Sequence, residues 1–245
     1  MRKFILLPVL SAVLLFSFGK GLSAIGFSGG GDITPQSNLN VVELYTSQSC
    51  SSCPPADRLL NTIANDANII ALGFHVTYWD HLHWKDTLSR EFATDRQRAT
   101  ARHRNTRRVY TPQMIVNGKD EFVGSSKTKL ANALAKPHET TPINVQYNGE
   151  NASVEFTLPN IERGTYTLWI AGIQNSHTQS IPSGENRGRT VEYKNAVLDF
   201  KSGGSWNGST DSRTISISPQ AAIDRYVVYA QENGYGQILA AGISN

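Results

Sequence analysis

Apolar residues in the first half of the chain fall into short blocks separated by longer amphipathic segments. The blocks predict strands, which lie at residues 41–45, 69–75, 113–116 and 121–123. The other segments predict helices, from residue 54 onward, at 88–108 and at 126–135. Asn117 and Gly118 stand between the last two strands, and this pair is typical of a β-hairpin turn. The predicted order is therefore β-α-β-α-β-β-α, which gives a mixed sheet with helices on its faces.

Residues 141–241 have a different pattern, with short runs in which apolar and polar positions alternate. Glycine, asparagine and proline interrupt these runs at close intervals, which is typical of antiparallel strands joined by turns. The predicted strands lie at 143–147, 152–158, 166–173, 190–200, 214–218, 226–231 and 237–241. The pattern changes near residues 136–142, so we predict a first domain at 41–138 and a mainly antiparallel β region at 139–245. A separate sandwich and direct packing on the first domain are both compatible with this pattern.

The first 24 residues predict an export signal. Arg2 and Lys3 precede an apolar run at 4–18, which is shorter than the roughly 20 residues that a membrane-spanning helix needs. We therefore expect cleavage near Ala24, no stable membrane anchor afterwards, and a periplasmic or secreted bacterial protein. Residues 25–40 are rich in glycine, serine, proline and asparagine and predict a flexible lead-in.

Removal of that signal leaves a chain with little net charge. It takes away three of the 23 basic residues and none of the 20 acidic ones, so the formal net charge falls from +3 to zero. Nucleic-acid binders carry a basic surface, and we therefore expect no nucleic-acid partner.

Cys50 and Cys53 are the two cysteines of the chain, and they stand where the first strand gives way to the first helix. In an oxidising compartment they have only each other as partners within the chain. Unpaired N–H groups and the helix dipole stabilise a thiolate at a helix N-terminus, which makes Cys50 the candidate nucleophile. The spacing lets Cys53 resolve a mixed disulfide formed on Cys50. A permanent structural disulfide is the alternative.

Five stretches carry a resemblance to a known family. They are 42–57 (VELYTSQSCSSCPPAD), 75–80 (HVTYWD), 84–86 (WKD), 110–113 (YTPQ) and 184–188 (GENRG). These motifs resemble the secreted thioredoxin-like family known as domain of unknown function 1223. The resemblance implies a thioredoxin-like fold, export and a redox role for the cysteine pair, and it implies no particular substrate. In thioredoxin-like proteins a cis-proline lies opposite the cysteines, so Thr111 and Pro112 are the candidate substrate-binding residues.

Three further groups invite chemical interpretation. Glu43 lies within a buried strand, where it could shuttle protons or be held by a structural partner such as an arginine. His75, His81 and His83 raise copper or zinc binding, but they match no known ligand spacing, and we assign no metal site. Seven arginines at 88–108 predict a solvated basic helix with local ion pairs.

The sequence thus predicts an α/β protein that acts as a thiol-disulfide oxidoreductase on protein or small-molecule disulfides and thiols, without a cofactor. A periplasmic copper- or zinc-handling protein and a secreted binding module with a structural disulfide are the alternatives. The substrate, the direction of electron flow and the oligomeric state are left open.

Overall fold

A computed structural model describes residues 39–218, 220 and 222–245. The predicted signal peptide, and the lead-in as far as residue 38, lie outside the described residues. The first half has the seven elements that its hydrophobic pattern predicts, in the predicted order. They are β1 (Asn40–Thr46), α1 (Pro54–Ile63), β2 (Ile69–His75), α2 (Glu91–His103), β3 (Gln113–Val116), β4 (Asp120–Val123) and α3 (Lys127–Leu134).

Local sequence explains where these elements begin and turn. Pro54 and Pro55 occupy the first turn of α1, where the missing N–H of proline costs nothing. The side chain of Ser126 accepts a hydrogen bond from the amide of Lys129 and caps α3. Asn117 and Gly118 both have positive φ at the centre of the turn between β3 and β4, which the Lys119 amide closes by donating to the Val116 carbonyl at 2.9 Å.

The second half is all strand. Its elements are β5 (Thr141–Pro142), β6 (Asn144–Asn148), β7 (Ser153–Leu158), β8 (Tyr166–Ser180), β9 (Thr190–Trp206), β10 (Asp211–Ser216), β11 (Arg225–Glu232) and β12 (Ile238–Ile243). β9, β8, β11 and β12 pair antiparallel with one another in that order, β5 pairs in parallel with β12, and β6, β7 and β10 form a small antiparallel sheet. An antiparallel β region was predicted here, and these pairings agree with it.

One sheet runs through both halves of the chain. Its nine strands have the order β4-β3-β1-β2-β9-β8-β11-β12-β5. Gly73 of β2 pairs in parallel with Ala196 of β9, and this contact joins the two halves. The strands from the second half therefore extend the first sheet directly, and the fold is a mixed α/β fold with few helices.

Strand β1 lies between two layers of side chains. Val42 and Leu44 face α1 and α3, in a core that also contains Leu60 and Leu130. The alternate residues of β1 face α2, in a core that contains Tyr45. Every residue of β1 is buried, which explains its nearly continuous apolar sequence.

β8 and β9 are longer than the sequence predicts. β8 continues seven residues beyond the predicted end at Ile173, to Ser180. These residues are polar and mostly exposed, and they pair with the start of β9 across a hairpin. The loop at its tip, residues 181–189, is called the cap loop below. The amide of Ile181 donates to the Arg189 carbonyl at 2.9 Å and closes its base.

Across the part of the chain that is described, no helix has the length and apolar character needed to cross a membrane.

Candidate functional site

Cys50 and Cys53 are bonded to each other immediately before α1. Their Cα atoms are 5.4 Å apart. Cys53 is the N-cap of α1, and its carbonyl accepts hydrogen bonds from the amides of Ala56 and Asp57. Cys50 lies one turn earlier and keeps 4% of its surface exposed, whereas Cys53 keeps none. Cys50 is thus the outer of the two sulfurs, although it is more buried than an open nucleophile would be.

The cap loop covers the cysteine pair. The buried side-chain amide of Asn186 donates to the carbonyls of Gln48 and Cys50, at 2.8 and 2.9 Å. The carboxylate of Glu185 accepts from the amide of Ser51 at 3.2 Å. The long β8–β9 hairpin thus brings the cap loop, from the second half of the chain, into contact with the backbone on both sides of Cys50.

Thr111 and Pro112 lie beside the first turn of α1. The peptide bond between them is cis. Gly124 separates Pro112 from the helix, since a Cβ at Gly124 would come within 3.3 Å of both Ala56 Cβ and Pro112 Cβ. The Thr111 hydroxyl accepts a hydrogen bond from the Trp79 indole at 2.8 Å. Both predicted substrate-binding residues therefore lie near the helix that follows the cysteines, and their role in binding stays a prediction.

Behind the cysteines lies a buried histidine–carboxylate pair. His75 Nδ1 donates to Asp86 Oδ2 at 2.7 Å. Burial disfavours the charged imidazole, but the Asp86 charge and hydrogen bond outweigh it and raise the pKa of His75. For Asp86 burial likewise acts first, yet the charge and hydrogen bond of His75 lower its pKa. Asp86 also accepts from the amide of Gln48 at 2.8 Å, which ties the pair to the loop carrying the cysteines.

Asp57 lies next to this pair and is only partly satisfied. Its side chain is 2% exposed, and Oδ1 accepts from the Thr46 hydroxyl at 2.6 Å. Oδ2 is buried without a hydrogen-bond partner among the described residues. Burial raises the pKa of Asp57 to about 7, against the opposing effects of the Thr46 hydrogen bond and the His75 charge.

Glu43, the predicted candidate for proton transfer, has a structural environment instead. Arg96 Nε donates to Glu43 Oε1 at 2.8 Å, and the Tyr229 hydroxyl donates to the same oxygen at 2.9 Å. The prediction that the arginines of α2 are solvated is wrong for Arg96, which is 3% exposed. Five rings surround its guanidinium, the side chains of Phe74, Trp169, Phe200, Tyr229 and Tyr235.

The three histidines considered for metal binding lie in different surroundings. His75 is paired with Asp86, whereas His81 and His83 lie at the surface. Within 39–218, 220 and 222–245, no three histidine, cysteine, aspartate or glutamate side chains gather closely enough to hold a metal ion.

A family model described as a protein of unknown function, DUF1223, matches residues 41–231. The chain belongs to this family. Among solved structures, a protein of Agrobacterium tumefaciens determined by the Northeast Structural Genomics Consortium is similar, with 28% identity and a TM-score of 0.72. That match covers 84% of this chain and 93% of the other. HBP35 of Porphyromonas gingivalis has 12% identity and a TM-score of 0.55, over 84% of this chain and 74% of the other, and shows the fold alone. No curated protein matches the sequence.

Asp57, Asp86 and Asn186 belong to the site but were not predicted as functional residues. A signal for Asp57 was present, because Cys53, Ala56, Asp57 and Leu60 share one face of α1 at the spacing that predicts burial. An acid in the first turn of a helix is otherwise expected to interact with the helix dipole at the surface. For Asn186 no local pattern indicates a contact with residues more than 130 positions earlier.

Proposed function

We propose that this chain is an exported, thioredoxin-like thiol-disulfide oxidoreductase in which Cys50 attacks and Cys53 resolves. The observation that carries the proposal is the Cys50–Cys53 disulfide directly before α1, with Cys53 as the N-cap of the helix. Free N–H groups at such an end stabilise a thiolate, which is the form that attacks a disulfide. The proximity of Thr111 and Pro112 to the same helix supports a role for them in binding an extended substrate segment.

The surface beside the cysteines offers a place for a substrate. A cleft of about 780 Å³ lies between the cap loop and the loop that joins β2 to α2, and its lining includes His83, Glu185 and Arg187. Ser51, next to the nucleophile, contacts Glu185 at the edge of this cleft. Because Cys50 is covered, the proposed reaction requires displacement of the cap loop. A disulfide or thiol bound in the cleft would then be close to the exposed Cys50 sulfur.

Equilibration with glutathione tests the proposal. A redox-active pair should exchange with glutathione and have a reduction potential between about −270 and −120 mV, whereas structural disulfides lie below about −300 mV. In Cys53→Ser, a mixed disulfide between Cys50 and glutathione should accumulate, and Cys50→Ser should form far less of it. A pair that resists glutathione, with a potential below about −300 mV, would show that the disulfide is structural.

A further inference from the structure

Asp57 lies one helical turn from the resolving cysteine, on the same face of α1. Its amide donates to the carbonyl of Cys53 at 3.1 Å, as in a regular helix. Side chains four residues apart on a helix have Cβ atoms about 5–6 Å apart. Asp57 and Cys53 therefore lie one above the other on the same face of α1, and both are buried.

This carboxyl group is the incompletely bonded acid of the cluster. Oδ1 has the Thr46 hydroxyl, whereas Oδ2 has no partner in the described part of the chain. A buried polar atom without a partner is costly, and a structural role does not require one. Asp57 also lines a small cavity of about 10 Å³ together with His75, which is room for roughly one water molecule.

Several elements contribute polar groups around Asp57. Thr46 donates from β1, and His75 contributes positive charge from β2 when it is protonated. Asp86, from the loop before α2, opposes ionisation of Asp57, and Arg58 on its own helix favours it. Tyr193 and Lys194 of β9 line the same cavity.

We infer that Asp57 accepts the thiol proton of Cys53 when that cysteine resolves a mixed disulfide on Cys50. The inference rests on the proposed thiol-disulfide function and assigns a proton acceptor within it. The proton passes from Cys53 Sγ to the carboxylate, and the electron pair of Cys53 forms the bond to Cys50 Sγ. The bond from Cys50 to the substrate sulfur breaks, and the substrate leaves as a thiolate that takes a proton from water. The protein dithiol is oxidised and the substrate disulfide is reduced by the same two electrons.

The environment of Asp57 suits this role near neutral pH. A general base is most effective when its pKa lies close to the working pH. Burial raises the pKa of Asp57 to about 7, which is where an exported protein would need a carboxylate that both accepts and releases a proton. The other two buried acids near the cysteines have full partners, since Glu43 is held by Arg96 and Tyr229 on the α2 side and Asp86 is paired with His75.

Ring closure with oxidised glutathione tests the inference. Reduced protein is mixed with oxidised glutathione, samples are quenched with acid, and mass spectrometry follows the mixed disulfide and its conversion to the Cys50–Cys53 bond. Asp57→Asn should slow this conversion about 100-fold at pH 7, within the usual range for loss of a general base. It should leave the first attack by Cys50 within about twofold, because Asp57 is adjacent to Cys53. Asp66→Asn, a matched change at an exposed carboxylate just beyond α1, should leave both steps unchanged.

The pH profile separates proton transfer from support of the fold. In the wild type, ring closure should accelerate through an inflection near pH 7. Thr46→Val removes the hydrogen bond that lowers the pKa of Asp57, so its inflection should move to higher pH. If Asp57→Asn closes the ring at the wild-type rate with the same profile, the inference is wrong while the redox function stands. If the wild type itself fails to exchange, the redox function fails first.

Infrared spectroscopy gives a second readout that needs no Asp57 variant. The carbonyl band of a protonated carboxyl group should disappear with a midpoint near pH 7 in the wild type, and at higher pH in Thr46→Val. The absence of any carboxyl band titrating between about pH 5 and 9 would contradict the inference, even if Asp57→Asn failed to fold.

Discussion

Two of the buried carboxylates, those of Glu43 and Asp57, lie on opposite sides of β1, and their surroundings differ. Glu43 faces α2, where Arg96 and Tyr229 bond to its Oε1 and aromatic rings enclose the arginine. Asp57 lies on the α1 side, where one oxygen is bonded to Thr46 and the other has no partner among the described residues. A buried charge with a matched countercharge maintains the fold, whereas a partly bonded acid beside a cysteine retains the capacity to exchange a proton.

The largest effect on stability should come from breaking the ion pair between Glu43 and Arg96. Glu43→Gln leaves the Arg96 guanidinium buried without its countercharge, and we expect a loss of about 3–5 kcal/mol in the free energy of unfolding. Urea unfolding of the oxidised protein measures it. The double variant Glu43→Gln/Arg96→Met should recover part of the loss, since it removes both charges. A loss below about 1 kcal/mol would mean that the Glu43–Arg96 pair does not maintain the fold, and the contrast with Asp57 would fail.

The next effect concerns the pH dependence of stability on the α1 side. The folded state raises the pKa of Asp57 from 3.8 to about 7, so the folded protein holds this proton at pH values where the unfolded chain has released it. The free energy of unfolding should therefore fall as pH rises from about 4 to 7, with Asp57 contributing at most about 4 kcal/mol.

Asp57→Asn should remove that contribution. The free energy of unfolding of the variant, relative to that of the wild type, should therefore increase with pH. Urea unfolding of the oxidised protein at pH values from 4 to 8 measures the difference. Folding also raises the pKa of His75, because the Asp86 charge and hydrogen bond outweigh burial, and the comparison with wild type separates its contribution. Asp66→Asn serves as the control and should keep the wild-type slope; an unchanged slope in Asp57→Asn would show that Asp57 is ionised like an ordinary surface acid.

A smaller effect should follow from loosening the cap loop over the cysteines. Asn186→Ala removes two hydrogen bonds to the cysteine loop, each worth about 1 kcal/mol. We expect the disulfide to be reduced by dithiothreitol about tenfold faster and the free energy of unfolding to fall by about 1–2 kcal/mol. Arg189→Ala changes an exposed side chain of the same loop and should leave the rate unchanged. Equal rates in wild type and Asn186→Ala would mean that the cap loop does not limit access.

Local patterns predict much of the first half of the molecule. The bounds of β2 and β3 match their apolar runs residue for residue, because strands buried on both faces are nearly continuous apolar segments. The start of α1 follows from Pro54 and Pro55, and the pairing of Cys50 with Cys53 follows from the cysteine count.

Features that depend on residues far apart in the sequence cannot be predicted from local patterns. The outer part of β8, from Gln174 to Ser180, has no hydrophobic alternation, because it is an exposed arm stabilised by pairing with β9. The inward direction of Arg96 is set by Glu43, 53 residues earlier. The backbone pairing between β2 and β9 joins Gly73 to Ala196, more than 120 positions later in the chain. These three features determine the position of the cap loop, the buried Glu43–Arg96 ion pair and the connection between the two halves of the chain.

The cap loop also has a consequence for the order in which the chain is made. Asn186 stands 136 residues after the carbonyl it bonds at Cys50. The cysteines are therefore synthesised well before the segment that covers them. Until then both thiols are uncovered, so the cap loop encloses whichever redox state the cysteines have reached when it folds onto them.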